Sequence, residues 1–341
     1  MNFTKKPLWL VKLLNYEYWT WWLFYLPLFP WFLWQAIRAK SFTYFTNVDP
    51  CIDFGGFFGE SKFAILEKID KDYLPKTLLI YAHISFKEVK SQFESGAFQF
   101  PVICKPNIGE RGNAVEKVSN IESLEKYHAS SDDYLIQEFI DFDIELGVLY
   151  HRFPSNKSGI ITSITKKSFL KVLGDGKSTI EQLMKLSDRA RFQMLAMQKK
   201  LGAGMKNIPK KNESILLEPI GNHCRGTTFL DFNRLINKEL TNVFDKISIP
   251  IEGFHYGRFD LKVKSIEDLY LGKNIKIMEL NGVSADPGHI YDPEYKLMKA
   301  YLDVAMHWKI LADLSIQQQL NGIKPIPWKI LWPIVKKHFF N

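Results

Sequence analysis

Residues 18–37 carry no charge, and this run limits what the whole molecule can become. About twenty uncharged, largely apolar residues in a row must cross a bilayer, lie along one, or be buried against a core. The composition of the run argues against crossing. Pro27 and Pro30 break or kink a helix near its middle, and Trp and Tyr favour the headgroup region over the hydrocarbon centre. The small-residue cleavage pattern of a signal peptide is missing. Lys5, Lys6 and Lys12 precede the run, and Arg38 and Lys40 follow it. A helix, a break and a second helix in the membrane interface fit this pattern. An aromatic arm packed on the protein's own core is the competing arrangement. Residues 325–341 repeat the chemistry on a smaller scale. Trp328, Leu331, Trp332 and Val335 can share one apolar face, Lys329, Lys336 and Lys337 can meet phosphate headgroups, and Pro333 is expected to interrupt the element. All nine tryptophans lie in the first or last 34 residues, so the ends and the middle do different work.

The middle reads as an ordinary folded chain. With 341 residues, 46% apolar and 24% charged, it can build two or three lobes and is not disordered. A net charge of +8 suits anionic partners: nucleotides, anionic substrates or an anionic membrane face. Nucleic acid is not expected, because there is no cysteine–histidine finger spacing and no basic domain with interleaved aromatics. Cys51, Cys104 and Cys224 cannot all pair, and no CxxC occurs, which points to a reducing compartment without a structural zinc or iron–sulfur site. Periodicity predicts strands over 77–82, 100–105, 114–118, 134–139, 145–153, 160–166, 256–263 and 275–280. Helices are predicted over 60–71, 85–94, 121–128, 179–198, 229–244 and 294–319. The fold class is therefore α/β.

Three segments carry chemistry. In FPVICKPNIGERGNAV a strand delivers Lys105 and the chain then turns through Gly109 and Gly112, a loop able to wrap backbone N–H groups around phosphate oxygens. It is neither a Walker motif nor a dinucleotide fingerprint. GRFDLK and IMELNGVSADPGH are strand-like, and in a strand residues i and i+2 share a face. Arg258 and Asp260 share one face, as do Glu279 and Asn281. If the two strands pair, Asp260, Glu279 and Asn281 converge as oxygen donors of the kind that suits magnesium, with no thiolate or imidazole to attract a softer metal.

These segments, in this order, resemble the ATP-grasp superfamily from about Lys62 to His289, closest in VLGDGKSTIEQL to cyanophycin-synthetase and bifunctional glutathione-synthetase branches. The metal strands resemble the ATP-grasp magnesium site, and the chain resembles the D-alanine–D-alanine ligase-like carboxylate–amine ligases as well. The resemblance implies two lobes clasping ATP and two Mg2+ ions, with Mn2+ able to substitute. It implies that Lys62, Lys105 and the Gly109–Arg111–Gly112 loop touch phosphate. Glu138, Phe139 and Ile140 would meet adenine, Glu145 the ribose, and Asp260, Glu279 and Asn281 the metal. Lys167 sits where relatives place a basic residue, and Arg258 would stabilise an oxyanion. In GNHCRGTTFLD, Arg225 is a candidate anion contact and His223 a candidate base, with loop support the alternative for both. His289 is a weaker substrate candidate.

The implied reaction activates a carboxylate as an acyl phosphate and couples it to an amine or similar nucleophile, releasing ADP and phosphate. A phosphotransferase without the amine step and a non-catalytic ATP-binding protein are the alternatives. Retention of Lys105, Glu138, Asp260, Glu279 and Asn281 weighs against the last. The expected units are an arm (1–40), a short region before the clasp (41–99), a first lobe (100–153), a second lobe with the metal site (154–320) and a basic-aromatic tail (321–341). Only about sixty residues precede Lys62, where relatives carry a full α/β domain, so the acceptor side is unusual. An amphiphilic substrate and a cytoplasmic position against the inner face of a membrane are the corresponding expectations, and nothing in the sequence specifies an oligomeric state.

Overall fold

Short apolar runs, in the central strands buried on both faces, make the strands of this chain, and side-chain caps set where most of its helices begin. The computed structural model describes residues 6–57, 59–109, 112 and 114–340, with side chains through Lys336. The strands are β1 (Thr77–Ile80), β2 (Val102–Pro106), β3 (Glu116–Val118), β4 (Tyr134–Glu138), β5 (Ile144–His151), β6 (Ile160–Ser168), β7 (Lys171–Leu173), β8 (Ser214–Leu216), β9 (Thr228–Asp231), β10 (Tyr256–Val263) and β11 (Ile275–Asn281). Among the described residues they form an antiparallel four-stranded sheet in the order β1-β4-β2-β3 and an antiparallel five-stranded sheet in the order β11-β10-β5-β6-β9. β7 and β8 make a separate ribbon. With the helices on these sheets, the class is mixed α/β.

The first sheet packs its Val102, Cys104 and Ile136 under the helices Phe86–Ser95 and Ile121–Ala129, through Val89, Phe93, Leu124 and Tyr127. The second sheet buries Leu146, Val148, Phe259, Leu261 and Ile277 against Leu240, Val243, Phe244 and Ile247 of the helix Lys238–Ser248. The sheets divide the chain differently from the boundaries expected at 99 and 153. β1 precedes residue 99 yet hydrogen-bonds to β4, and β5 is the middle strand of the second sheet. Hydrogen-bonding partners, not chain order, set those limits.

Several elements depart from the periodicity. The helix expected over 179–198 is three helices, Ile180–Lys185, Asp188–Phe192 and Met194–Leu201, because the Ser187 hydroxyl accepts from the Ala190 N–H and starts a new helix. Where a helix over 229–244 was expected, β9 pairs with β6, and Asn237 caps a helix that begins only at Lys238. The helix at 60–71 is cut to Lys62–Leu66, capped by Ser61. Pro333 does not interrupt the tail; it lies inside the helix Trp328–Phe340.

The arm packs in part on the protein's own core. Its helices are Leu8–Leu14, Trp21–Tyr25 and Phe29–Arg38, with single turns at Tyr16–Tyr18 and Leu26–Leu28. Pro30 falls in the first turn of the last helix, where a missing N–H costs nothing. Phe24 and Leu28 are buried with Ile290, Ala300 and Val304, the last two from the helix Leu297–Leu320. Meanwhile Trp9, Leu26, Trp34 and Ile37 remain more than half exposed. Arg38, one of the basic residues that follow the uncharged run, is paired with Asp313 at 2.7 Å. No described helix is long and apolar enough to cross a membrane. Thr43 and Thr46 hydrogen-bond Ile326, so the tail starts beside the end of the arm.

Asp49 ties that region to β10. Its fully buried carboxylate accepts from the His255 and Tyr256 N–H groups at 2.7 and 2.9 Å through Oδ1, while Oδ2 has no hydrogen-bond partner among the described residues. Burial pushes its pKa up to about 8, against the lowering effect of the two N–H groups. A carboxyl raised in this way holds its proton more tightly folded than unfolded, so its stability contribution is whole below about pH 4 and is lost as pH rises through about 8. Asp49→Asn keeps the acceptor and removes the titration. The melting temperature of the variant relative to the parent should therefore climb by several degrees between pH 5 and 9; a constant difference across that range would refute the assignment.

Candidate functional site

The pairing of β10 with β11 sets Arg258 opposite Asn281 and Asp260 opposite Glu279. The register then slips, so that Leu261 faces Ile277 and Met278 is the extra residue of a bulge. The bulge leaves the Met278 carbonyl to accept from Lys105 Nζ at 2.8 Å, and the same ammonium donates to Gln137 Oε1 at 3.1 Å. Lys105, on β2, thereby joins the two sheets. Burial brings its pKa down to about 8, with Lys62 adding to the effect and Glu279 and Asp260 opposing it.

Asp260 is the centre of the cluster. Arg258 donates to it through Nε at 3.0 Å and Nη2 at 3.2 Å, Asn281 Nδ2 at 3.2 Å, and Lys167 Nζ lies 3.5 Å away. Lys167 also pairs with Glu145 at 3.1 Å. Burial works against each of these charges. Even so, Arg258 and Lys167 hold the Asp260 carboxyl below its ordinary value, and Asp260 holds Arg258 and Lys167 above theirs, with Glu145 helping at Lys167. The approach needs a glycine: a Cβ on Gly221 would stand 2.2 Å from Glu145 Oε1.

The phosphate-loop candidates lie at the edge of this cluster. Lys62 opens its helix, sits 3.6 Å from Glu279 Oε1 and donates to the Gly109 carbonyl. Gly112 adopts φ +69°, which favours glycine. Arg111 lies outside the described residues. Glu138 accepts from the Lys76 N–H at 3.1 Å, the Ile140 carbonyl accepts from Lys262 at 2.9 Å, and the Phe139 ring lies under Lys117 at 3.8 Å from its centroid.

Arg225 stands behind the loop and outside the cavity wall, donating to the Gly112 and Val115 carbonyls at 3.3 and 3.0 Å and pairing with Glu218. The loop-support alternative accounts for those contacts. His223 does line the cavity, with Nε2 3.3 Å from Glu17. His289 is buried on Ser163, Tyr295 and Asp303, away from the cavity wall. Exposed Cys224 lines the cavity.

The arm supplies residues that sequence reasoning did not assign. Glu17 pairs with Arg189 as well as His223 and is held below its ordinary pKa by these contacts despite burial. Tyr25 donates to Asp286, which also accepts from Tyr291 at 3.0 Å. One signal pointed to Glu17: it is the sole charged residue between Lys12 and Arg38. All of these groups surround one cavity of about 1300 Å³.

Among the described residues no group of three or more His, Cys, Asp or Glu stands ready for a metal. The candidate set is instead two carboxylates and an amide on facing strands, and all-oxygen donors of this kind fit magnesium held partly by a nucleotide. In this structure Asn281 turns its Nδ2 toward Asp260.

No family model matches the chain, and no curated protein matches it. Among solved structures, a bifunctional glutathione synthetase from Pasteurella multocida is similar at 14% identity and TM-score 0.37, over 72% of this chain and 35% of that one. D-alanine–D-alanine ligase from Bacillus anthracis is similar at 16% identity and TM-score 0.39, over 77% of this chain and 67% of that one. The VanG D-Ala:D-Ser ligase from Enterococcus faecalis is similar at 11% identity and TM-score 0.39, over 72% and 56%.

Proposed function

We propose that the protein is an ATP-dependent ligase of the ATP-grasp kind, which activates a carboxylate and joins it to an amine or similar nucleophile. The observation that carries this reading is the β10–β11 register, which puts Asp260 across from Glu279 while Lys105 reaches the same strand from the other sheet. Lys62 and Lys105, with the backbone of Gly109 and Gly112, would hold the triphosphate. Glu138, Phe139 and Ile140 would border the base. Asp260, Glu279 and Asn281 would hold magnesium, which when bound supplies positive charge to the phosphates. Glu145, assigned to ribose by resemblance, is engaged with Lys167, and it would position that ammonium.

In the first step a substrate carboxylate oxygen attacks the γ-phosphorus and the bond to ADP breaks, giving an acyl phosphate. In the second the amine attacks the carbonyl carbon, phosphate leaves, and the amine proton passes to His223, the one imidazole among the described lining residues. Arg258 and Lys167 would meet the oxyanion that forms between these events. Such catalysis rests on positioning and fixed charge.

Asp260→Asn and Glu279→Gln are each expected to slow magnesium-dependent ADP release by ~10²-fold or more. The assay is ADP release over pools of acids and amines, with mass detection of product. Full activity in both variants would remove the metal assignment. Product that is phosphorylated and needs no amine would favour the phosphotransferase.

We also propose that the exposed side of the arm rests on an anionic membrane surface. Exposed Lys12, Lys40, Lys324, Lys329 and Lys336 accompany the exposed Trp9, Trp34, Ile37, Trp328 and Trp332. Each lysine near such a surface adds roughly 1 kcal/mol. The full chain should float with anionic vesicles at low salt and be partly released at high salt. Trp9→Gln, Trp34→Gln and Ile37→Gln combined should weaken flotation at both. A parent chain that stays in solution at low salt would refute this placement.

A further inference from the structure

The cavity that contains the charged cluster continues onto the aromatic arm. Arg258 Nη1 donates to the Asp286 carbonyl at 3.2 Å, and the Asp286 carboxylate accepts from the Tyr25 hydroxyl. The Tyr25 ring stacks on Trp308 with centroids 5.8 Å apart, and Trp308 meets Phe32 edge-on at 5.7 Å. A single residue, Asp286, thus separates Arg258 from an aromatic wall. At the other end Trp22 and Phe29 line the same cavity and are 55% and 52% exposed, so they form part of its mouth.

Aromatic side chains carry polar handles, but several in this wall are already engaged. The Tyr16 hydroxyl donates to the Ile290 carbonyl, the Trp19 indole to the Leu13 carbonyl at 3.1 Å, and the Tyr25 hydroxyl to Asp286. Beside Lys12, Glu17 and Thr20, ring faces are what the arm offers a ligand in this cavity, and amide or hydroxyl groups placed along those rings would find few partners. At about 1300 Å³ the cavity exceeds the roughly 300–1,000 Å³ typical of one small-molecule site, leaving room beside a nucleotide.

We propose that the acid bound here is an amphiphile, with its carboxylate at the charged centre beside Arg258 and a long apolar chain lying along the arm and leaving past Trp22 and Phe29. The head placement rests on the ligase reading of the charged centre; the chain placement stands on the arm's own geometry. The mouth shares the arm with the exposed aromatic surface, so a bilayer is the natural source of such an acid.

The test is calorimetric binding of dodecanoate, hexanoate and dodecanol, below their micelle concentrations, to the full chain. Dodecanoate should bind at least ~30-fold tighter than hexanoate, within the ~10³-fold that six fully buried methylenes give, and should outbind dodecanol. Trp22→Gln and Phe29→Gln, on the exposed rim where folding is not at risk, should each weaken dodecanoate several-fold and leave hexanoate and MgATP binding within twofold. Equal affinity for dodecanoate and hexanoate, or unchanged dodecanoate binding in both variants, overturns the chain placement. Dodecanol binding as tightly as dodecanoate overturns the head placement. Flotation with vesicles but no binding of monomeric dodecanoate would make the arm a membrane contact only, and also overturns the proposal. The two readings fail separately. MgATP binding with no chain-length dependence sinks the amphiphile and spares the ligase, whereas chain-length dependence without MgATP binding does the reverse.

Discussion

The carboxylate of Asp260 is the point on which the site depends. It is buried, and an unpaired charge in such a place is costly, so Arg258 and Lys167 must stand beside it. Lys167 in turn needs Glu145, which brings β6 and β5 into the same cluster as β10. Removing one partner from a buried arrangement of this kind costs roughly 3–5 kcal/mol, because the remaining charge is left uncompensated. Balanced positive and negative groups let these charges be buried together. Under the proposed ligase reading the same groups would already be oriented for a polyphosphate, as fixed charge that lowers a barrier without reorganisation.

Close backbone approach makes this possible. Gly221 leaves room for the Glu145–Lys167 pair, and Gly282 lets the turn at Gly55 lie against the end of β11, where an added Cβ would be 2.2 Å from the Gly55 carbonyl. The Val283 N–H closes that contact onto Gly55 at 2.9 Å. The segment between the arm and Lys62 is thus fastened to the strand that carries Glu279 and Asn281. The arm itself is pinned at the cavity by Glu17 on Arg189 and His223 and by Tyr25 on Asp286. Its buried face is part of the core, Glu17 and Tyr25 from its middle line the cavity, and another face is left to the outside.

Local pattern was readable where one residue type at a fixed spacing has one outcome. The i, i+2 placement of Arg258 with Asp260, and of Glu279 with Asn281, fixed their faces once the segments were strands, and β10 runs over the same residues 256–263 that periodicity predicts. The strand bearing Lys105 was equally plain. Helix ends were harder: Ser187 and Asn237 are caps by chemistry, yet both sit inside longer helical periods, and the cap decided the outcome.

The sequence by itself determined the mixed α/β class, the strands that carry the charged residues, and an uncharged run over 18–37 too broken by proline to continue as one helix. Tertiary structure alone decided that β5 belongs to the second sheet, that Lys105 ends on the Met278 carbonyl, and that Arg225 braces the glycine loop from behind. It also decided that Arg38 is taken by Asp313 and that Glu17 and Tyr25 reach the site. The division has one physical cause. Periodicity and capping act over a few neighbouring residues, whereas these contacts join positions tens to hundreds of residues apart, and their geometry exists only after the sheets have packed.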